Sequence, residues 1–346
     1  MTPNTASIAP VAVVVPNWNG RHLLEECLDS LAAQSVAARV IVVDNGSVDG
    51  STALVRSRYP QTHLVELDRN HGFTGAVNRG IEEALVEGAG FVALLNNDAR
   101  AGERWLERLL AAMDDHPEVG IVTSKVLMTD GRHFDSAGNH YSVWGHPFPR
   151  GRGELDEGQY EQRAFVFGGS GGASLYRVAM MSEIGLLDDD FFAYYEDDDL
   201  SFRAQLAGWK VMYEPASLAH HHVAATSSKH PGLRHYHVTK NAFYLFHKNM
   251  PARLYFRYLP RFAVGFLSLL AGIAKRRDFA ALLPSLWRIA VTLGPLTRKR
   301  RSIQERRVVS DAYVSSILYH GIPPNHRYPF LRRRLRSRAE SSGGRG

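Results

Sequence analysis

The chain has 346 residues, of which 45% are hydrophobic and 22% charged. That is a globular composition, not a disordered one, with room for about two domains. Its single cysteine, Cys27, excludes an internal disulfide framework and any Cys-rich zinc site, and suits a reducing compartment. The net charge of +6 hides a split: Met1–His230 carries 18 Lys and Arg against 31 Asp and Glu, whereas Pro231–Gly346 carries 23 against 4. An acidic body with a basic tail points to two tasks, the tail being drawn to a polyanion: an anionic membrane face, nucleic acid or a phosphorylated acceptor.

The chain opens MTPNTASIAP, with no basic residue before its first apolar run, so no secretory signal is expected and the protein is placed in the cytoplasm. Residues 11–15, VAVVV, are continuously apolar up to Pro16, the pattern of a strand buried on both faces. Asn17-Trp18-Asn19-Gly20 then reads as a turn. Leu23, Leu24, Cys27, Leu28 and Leu31 recur at helical spacing over residues 22–34. A second strand over 40–43 ends at Asp44-Asn45-Gly46-Ser47, a helix follows over 51–58, and a third strand over 63–67. A helix over 74–86 leads to a fourth strand over 91–95, which ends at Asn96-Asn97-Asp98. Alternating strands and helices build a parallel sheet, and such sheets bind ligands beyond the C-terminal ends of their strands. Three strands ending in polar clusters on that edge favour a site there over mere turn chemistry. There is no GxGxxG after the first strand and no P-loop, so a glycine-rich phosphate cradle is not expected.

Three later segments carry chemistry. Phe167–Ser174 holds four glycines between ordered flanks and lets the backbone approach a ligand closely. Asp188–Arg203 reads DDDFFAYYEDDDLSFR. Its aromatic run Phe191–Tyr195 argues for burial beside the carboxylates, which raises a carboxyl pKa toward general-base duty. A helix is predicted from Asp197 to Gly208. His220-His221-His222 cannot all face one ligand from a strand, because side chains alternate. One of them with a carboxylate such as Asp98 and a diphosphate suits Mg2+ or Mn2+.

These pieces resemble family 2 glycosyltransferases of the GT-A fold, bacterial rhamnosyltransferase-like members in particular. The matching strings are VVVPNWNG (13–20), VVDNGSVDGS (42–51), NHGFTGAVNRGI (70–81), LLNNDA (94–99), FGGSGGASLYR (167–177) and FFAYYEDDDLSFRAQLAGWKVMYEP (191–215). The resemblance spans about residues 11–227 and implies an α/β GT-A catalytic domain, a Rossmann-like mixed sheet flanked by helices, over 1–230; the charge split sets a basic, mainly helical region over 231–346 apart from it. It implies inverting transfer of one sugar, rhamnose among the candidates, from a nucleoside diphosphate sugar to a glycan or polyprenyl-diphosphate-linked acceptor. Carried over by position, Pro16 and Asn19 lie in the first nucleotide-binding turn. Asp44 meets the pyrimidine base, with Asn45 and Ser47 beside it. Asn70, Gly72, Phe73 and Asn78 fall in the segment that approaches the nucleotide and donor sugar. Asn96-Asn97-Asp98 takes the place of the metal-binding Asp-x-Asp, with Asn where the first aspartate belongs, so Asp98 is left as the main carboxylate ligand. Asp197 is the expected base, and His221 best matches the metal-ligand histidine, with His220 and His222 still open. The processive members' Gln-x-x-Arg-Trp motif is replaced by Gln205-Leu206-Ala207-Gly208-Trp209, which implies a single addition. Cys27 needs no catalytic role.

Two other readings compete. A nucleic-acid binder would use Arg298–Arg301 and Arg332–Arg334, but aromatics are scarce between these basic residues, so no nucleic acid is expected as a partner. An inactive scaffold has Asn96 as its one hint. The longest candidate, Phe262–Ala274 between Arg261 and Lys275, has 13 residues, short of the roughly 18 of a spanning helix. With Phe279–Leu296, which contains Pro284 and Pro295, it suits helices lying in an anionic membrane surface, at the inner face of the cytoplasmic membrane.

Overall fold

A computed structural model describes residues 10–222 and 231–324. The first residues of the MTPNTASIAP opening, the expected boundary at residue 230 and the Arg332–Arg334 cluster lie outside the described residues. The elements are β1 (Val11–Asn17), α1 (Arg21–Ala32), β2 (Arg39–Asp44), α2 (Ser51–Arg58), β3 (His63–Glu66), α3 (Gly72–Val86), β4 (Phe91–Leu95), β5 (Ala99–Ala101), α4 (Trp105–Asp115) and β6 (Val119–Met128). They continue with β7 (Phe134–Ser136), β8 (Asn139–Tyr141), β9 (Pro147–Pro149), β10 (Ala164–Phe165), β11 (Ala173–Arg177), α5 (Val178–Ile184), α6 (Glu196–Leu206) and β12 (Lys210–His221). Four helices follow: α7 (Pro231–Asn249), α8 (Ala252–Lys275), α9 (Phe279–Glu305) and α10 (Asp311–Ile317).

The main sheet runs β10-β12-β6-β11-β4-β1-β2-β3, with β5 on β12 and β7 on β6. β1 is parallel to β2 and β4, and β2 to β3, as the apolar runs predict. Along β1, Val11, Val13 and Val15 pack with α1 and α4 side chains such as Leu28 and Trp105, while Ala12 and Val14 pack with Val77 and Ile81 of α3. The strand is therefore buried on both faces, and each fully buried valine contributes roughly 1.5–3 kcal/mol. β11 runs antiparallel to β4 with Ala173 opposite Leu95, which brings the glycine-rich segment to the edge where β1, β2 and β4 end. β5 pairs antiparallel with β12, His221 opposite Ala99, so Asp98 abuts the end of β12.

A third apolar cluster joins the tail to the body. Phe167, Phe191 and Phe202 pack with Tyr244 and Phe246 of α7, Tyr258 and Phe262 of α8 and Leu296 of α9. The rings of Phe246 and Phe262 stack 4.1 Å apart. The tail helices exceed what the uninterrupted apolar runs indicate: α8 has 24 residues and α9 has 27, and by length and composition either is able to cross a membrane. Counting unbroken apolar residues missed this, because Arg261 and Arg288 interrupt the runs without ending the helices. One side of α8 is committed to the body through Leu254, Tyr258 and Phe262. The other side leaves Phe256 72% and Leu267 63% exposed.

Candidate active site

The edge where β1, β2 and β4 end opens into a cleft of about 480 Å³. Of the residues singled out in the sequence, Pro16, Asn45, Asn70, Gly72, Phe73, Asn96, Asn97, Asp98, Asp197 and His221 line it. Asn19, Asp44, Ser47 and Asn78 are not among the lining residues. Asp44 is buried and accepts from Asn17 Nδ2 (3.0 Å) and from the Ser47 N–H (2.9 Å). The Asn19 N–H donates to Ser47 Oγ (2.8 Å), joining the turns after β1 and β2. Asn78 is spent on the segment before α6: its amide donates to Leu187 O and Asp189 Oδ1 (both 2.9 Å) and its oxygen accepts from the Leu187 N–H.

Asn45 stitches β2 to the start of α3, donating to Asn70 Oδ1 (3.1 Å) and Gly72 O (2.8 Å) and accepting from the His71 N–H. Gly72 has φ +80°, and a Cβ there would stand 2.5 Å from Phe192 O. Only glycine fits both demands. The close approach lets the Thr74 N–H donate to Phe192 O (3.1 Å).

The acidic run occupies the first turn of α6, where unpaired N–H groups and the helix dipole favour carboxylates. Its four members have different surroundings. Asp199 is fully buried between Arg203 (2.9 Å), Lys248 (2.8 Å) and the Asn249 amide (2.7 Å). Asp198 accepts from Asn139 Nδ2 (3.1 Å), and burial, then Asp197, pushes its carboxyl well up. Asp197 accepts from the N–H groups of Gly171 and Asp198 (both 2.9 Å). Burial raises its pKa although those bonds pull it down. Burial, then the charge of Asp197, pushes Glu196 up to about 8. Asp197 thus stands at the cleft with a raised proton affinity, as a general base requires.

His221, which also lines the cleft, is bracketed by two carboxylates: Nε2 lies 3.0 Å from Asp98 Oδ1 and Nδ1 lies 2.8 Å from Asp135 Oδ2. Burial opposes a proton on this ring, but the bonds to Asp135 and Asp98 outweigh it and raise His221 to about 10. Strand alternation separates its neighbours: His220 lies by Arg100, and His222 lies 3.1 Å from Glu26. Asp135, Ser136, Asn139, Phe148 and Arg152 also line the cleft and carried no signal in the sequence. They sit on strands of three residues or in turns, too short to show a period. Arg152 lies 3.2 Å from Asp135. Among the described residues no group of three His, Cys, Asp or Glu is placed to hold a metal. Asp98 offers an oxygen and His221, once Nε2 gives up its proton, a nitrogen, and Asn96 Oδ1, buried without a hydrogen-bond partner, is a third candidate ligand on the strand end that carries Asp98. That set fits Mg2+ or Mn2+, which take few protein ligands and complete their shell with phosphate oxygens. Cys27 is buried, its thiol pushed far up by burial, in keeping with an inert role.

A model of glycosyl transferase family 2 matches residues 12–185. The chain is 31% identical over 248 residues to an N-acetylglucosaminyl-diphospho-decaprenol L-rhamnosyltransferase of Mycobacterium tuberculosis, covering 65% of this chain and 79% of the relative. Its fold is similar to that of GalNAc-T7 solved with UDP, GalNAc and Mn2+, at TM-score 0.59 and 13% identity, over 83% of this chain and 58% of that one. It is also similar to the mannosyltransferase PcManGT of Pyrobaculum calidifontis in complex with GDP-Man and Mn2+, at TM-score 0.52 and 18% identity, over 90% of this chain and 86% of that one. The GT-A architecture expected from the sequence is the one these neighbours share.

The raised Glu196 gives a pH-dependent stability. In the unfolded chain it titrates near 4.5, in the folded protein near 8. Below the lower value both states hold the proton. Between the two only the folded state does, so this contribution to stability is lost as pH rises from about 4.5 to about 8. Glu196→Gln removes it, and the melting temperature of the variant should fall less than the parent's over that interval. Parallel melting curves against pH would contradict the assignment.

Proposed function

The chain belongs to glycosyl transferase family 2, and on that premise we propose that it transfers a single sugar, with inversion, from a nucleoside diphosphate sugar to a lipid-linked glycan acceptor. The observation that carries this reading is the cleft itself, which is lined by Asp197 and by the Asp98–His221 pair. The acceptor hydroxyl oxygen attacks the anomeric carbon, the bond from that carbon to the diphosphate oxygen breaks, and the hydroxyl proton passes to the Asp197 carboxylate. The nucleoside diphosphate leaves with its electron pair. Asp98 and His221, with Asn96 Oδ1 near them, would hold a divalent cation, whose chemistry is to offset the charge on the leaving diphosphate. Pro16, Asn45, Asn70, Gly72 and Phe73 would form the nucleotide side, with Asp44, Ser47, Asn19 and Asn78 fixing the backbone behind it. A rhamnosyl donor and a polyprenyl-diphosphate acceptor are supported by the name of the mycobacterial relative.

In this reading residues 1–230 do the chemistry and the tail meets the membrane. Phe279, Leu283, Trp287 and Val291 recur every four residues along α9, and all are exposed, Trp287 by 71%. Arg253, Arg257, Arg261, Lys275, Arg276, Arg277 and Arg288 are exposed on α8, on α9 or at the turn between them. An apolar stripe beside basic residues suits the surface of an anionic bilayer, each cation contributing about 1 kcal/mol there. Because α8 and α9 are each fixed to the body along one side, lying in the interface suits them better than crossing it. Nucleic-acid binding is less well supported: within Arg298–Arg301, Lys299 is spent on Asp188 and Asp190, and Arg300 on His247 O.

Asp197→Asn should keep donor affinity and lower the transfer rate by about 10²–10⁴-fold, the usual range for a general base. Steady-state transfer with titrated donor reads both, and an unchanged rate would move the base to another carboxylate. Flotation with anionic liposomes should carry the full chain upward at low salt and less of it as salt rises, since charge attraction is screened. A folded protein that stays at the bottom at low salt would remove the membrane reading.

A further inference from the structure

The wall of the cleft that leads into Asp197 is an unusual piece of backbone. Phe192, Tyr194 and Tyr195 have φ of 66°, 73° and 70°, a left-handed region that bulky side chains rarely adopt. Such a segment persists only where its surroundings hold it. Here every carbonyl from Phe191 to Tyr195 has a donor. Asn241 of α7, fully buried, directs Nδ2 at Phe191 O (3.0 Å), Ala193 O (2.8 Å) and Tyr194 O (2.7 Å). The Thr74 N–H takes Phe192 O, and the Asp199 N–H takes Tyr195 O (2.9 Å). One side chain of α7 therefore holds three of the five carbonyls. Lys240, its neighbour in sequence, donates to Asp190 O just before the segment, and His237 stacks on Phe192 with ring centroids 4.9 Å apart.

We propose that Asn241 is a positioning residue for transfer: by clamping Phe191–Tyr194 it sets the wall against which the acceptor lies and fixes where α6 presents Asp197. Asn241 is not among the cleft-lining residues, whereas Phe192 to Asp198 all are, so it acts through the segment and not on substrate. A hydrogen-bond donor is what the position demands. An aspartate of the same size would set a carboxylate oxygen against three carbonyl oxygens, and an alanine would leave Ala193 O and Tyr194 O without this donor, Phe191 O keeping the Ala193 N–H (2.8 Å). The nucleotide side of the cleft, built from β1, β2 and the start of α3, reaches this segment through the Thr74 N–H and shares none of the hydrogen bonds that Asn241 makes. This inference rests on the reading of the cleft as a sugar-transfer site.

The test uses the full chain with Asn241→Ala, Asn241→Asp and Asn241→Ser, with rates normalised to folded protein. Two quantities are read: steady-state transfer with each substrate varied, and amide hydrogen exchange over residues 190–197. The alanine and aspartate variants should lose at least tenfold in kcat with donor KM within twofold of the parent. Their exchange over 190–197 should rise while that of β1 and β4 stays unchanged. Serine keeps one donor and should fall between them and the parent; it also serves if alanine fails to fold. A kcat within twofold of the parent in a folded aspartate variant would overturn the proposal, as would a uniform loss in kcat and donor KM. If the parent transfers no sugar from any donor, the transfer reading fails by itself. Exchange then decides the clamp: unchanged exchange over 190–197 in the variants overturns it, and increased exchange upholds the clamp as a structural device.

Discussion

Packing four consecutive acidic residues at the start of α6, three of them buried and Asp197 half-buried at the cleft, is the constraint on which the rest of the site depends. An unpaired buried carboxylate is costly, and stripping one partner from a buried ion pair costs about 3–5 kcal/mol. The chain answers differently at each position. Asp199 is neutralised by Arg203 and Lys248 and capped by Asn249. Asp198 leans on Asn139. Asp197 is fed by two backbone N–H groups, and Glu196 holds its proton to about 8. The partners of Asp199 anchor the first turn of α6, the turn from which Asp197 meets the cleft.

That solution reassigns part of the tail. Lys240, Lys248, Asn249 and Lys299 come from α7 and α9, yet they serve the segment from Asp188 to Asp199. Among the described residues, the cations after Pro231 thus include some turned inward onto the acidic body and others left on the surface of α8 and α9. The third apolar cluster fastens the two parts together through Phe191, Phe202, Phe246 and Phe262.

The parallel half of the sheet was readable because VAVVV and FVALL are apolar without interruption, and each is followed by a polar turn. The approach of Asp98 to His221 was readable as chemistry, but the choice among three histidines required β12, whose alternation sends His220 and His222 elsewhere. Asp135 and Arg152 were not readable: β7 is three residues long, and a single acidic residue in it looks like any surface position. Asn241 was invisible for another reason. It lies in an ordinary amphipathic helix, and its significance comes from three carbonyls some fifty residues away in the chain. The lengths of α8 and α9 were underestimated because a helix tolerates an exposed arginine that ends an apolar count.

Mass measurement of a polyprenyl-diphosphate-linked sugar, incubated with the protein, Mn2+ and a panel of nucleoside diphosphate sugars with rhamnosyl donors included, tests the sugar-transfer site most directly. The expected product is heavier by one sugar residue, formed from one donor and absent in chelator. A ladder of successive additions, or no product from any donor while the chain remains folded, would contradict it.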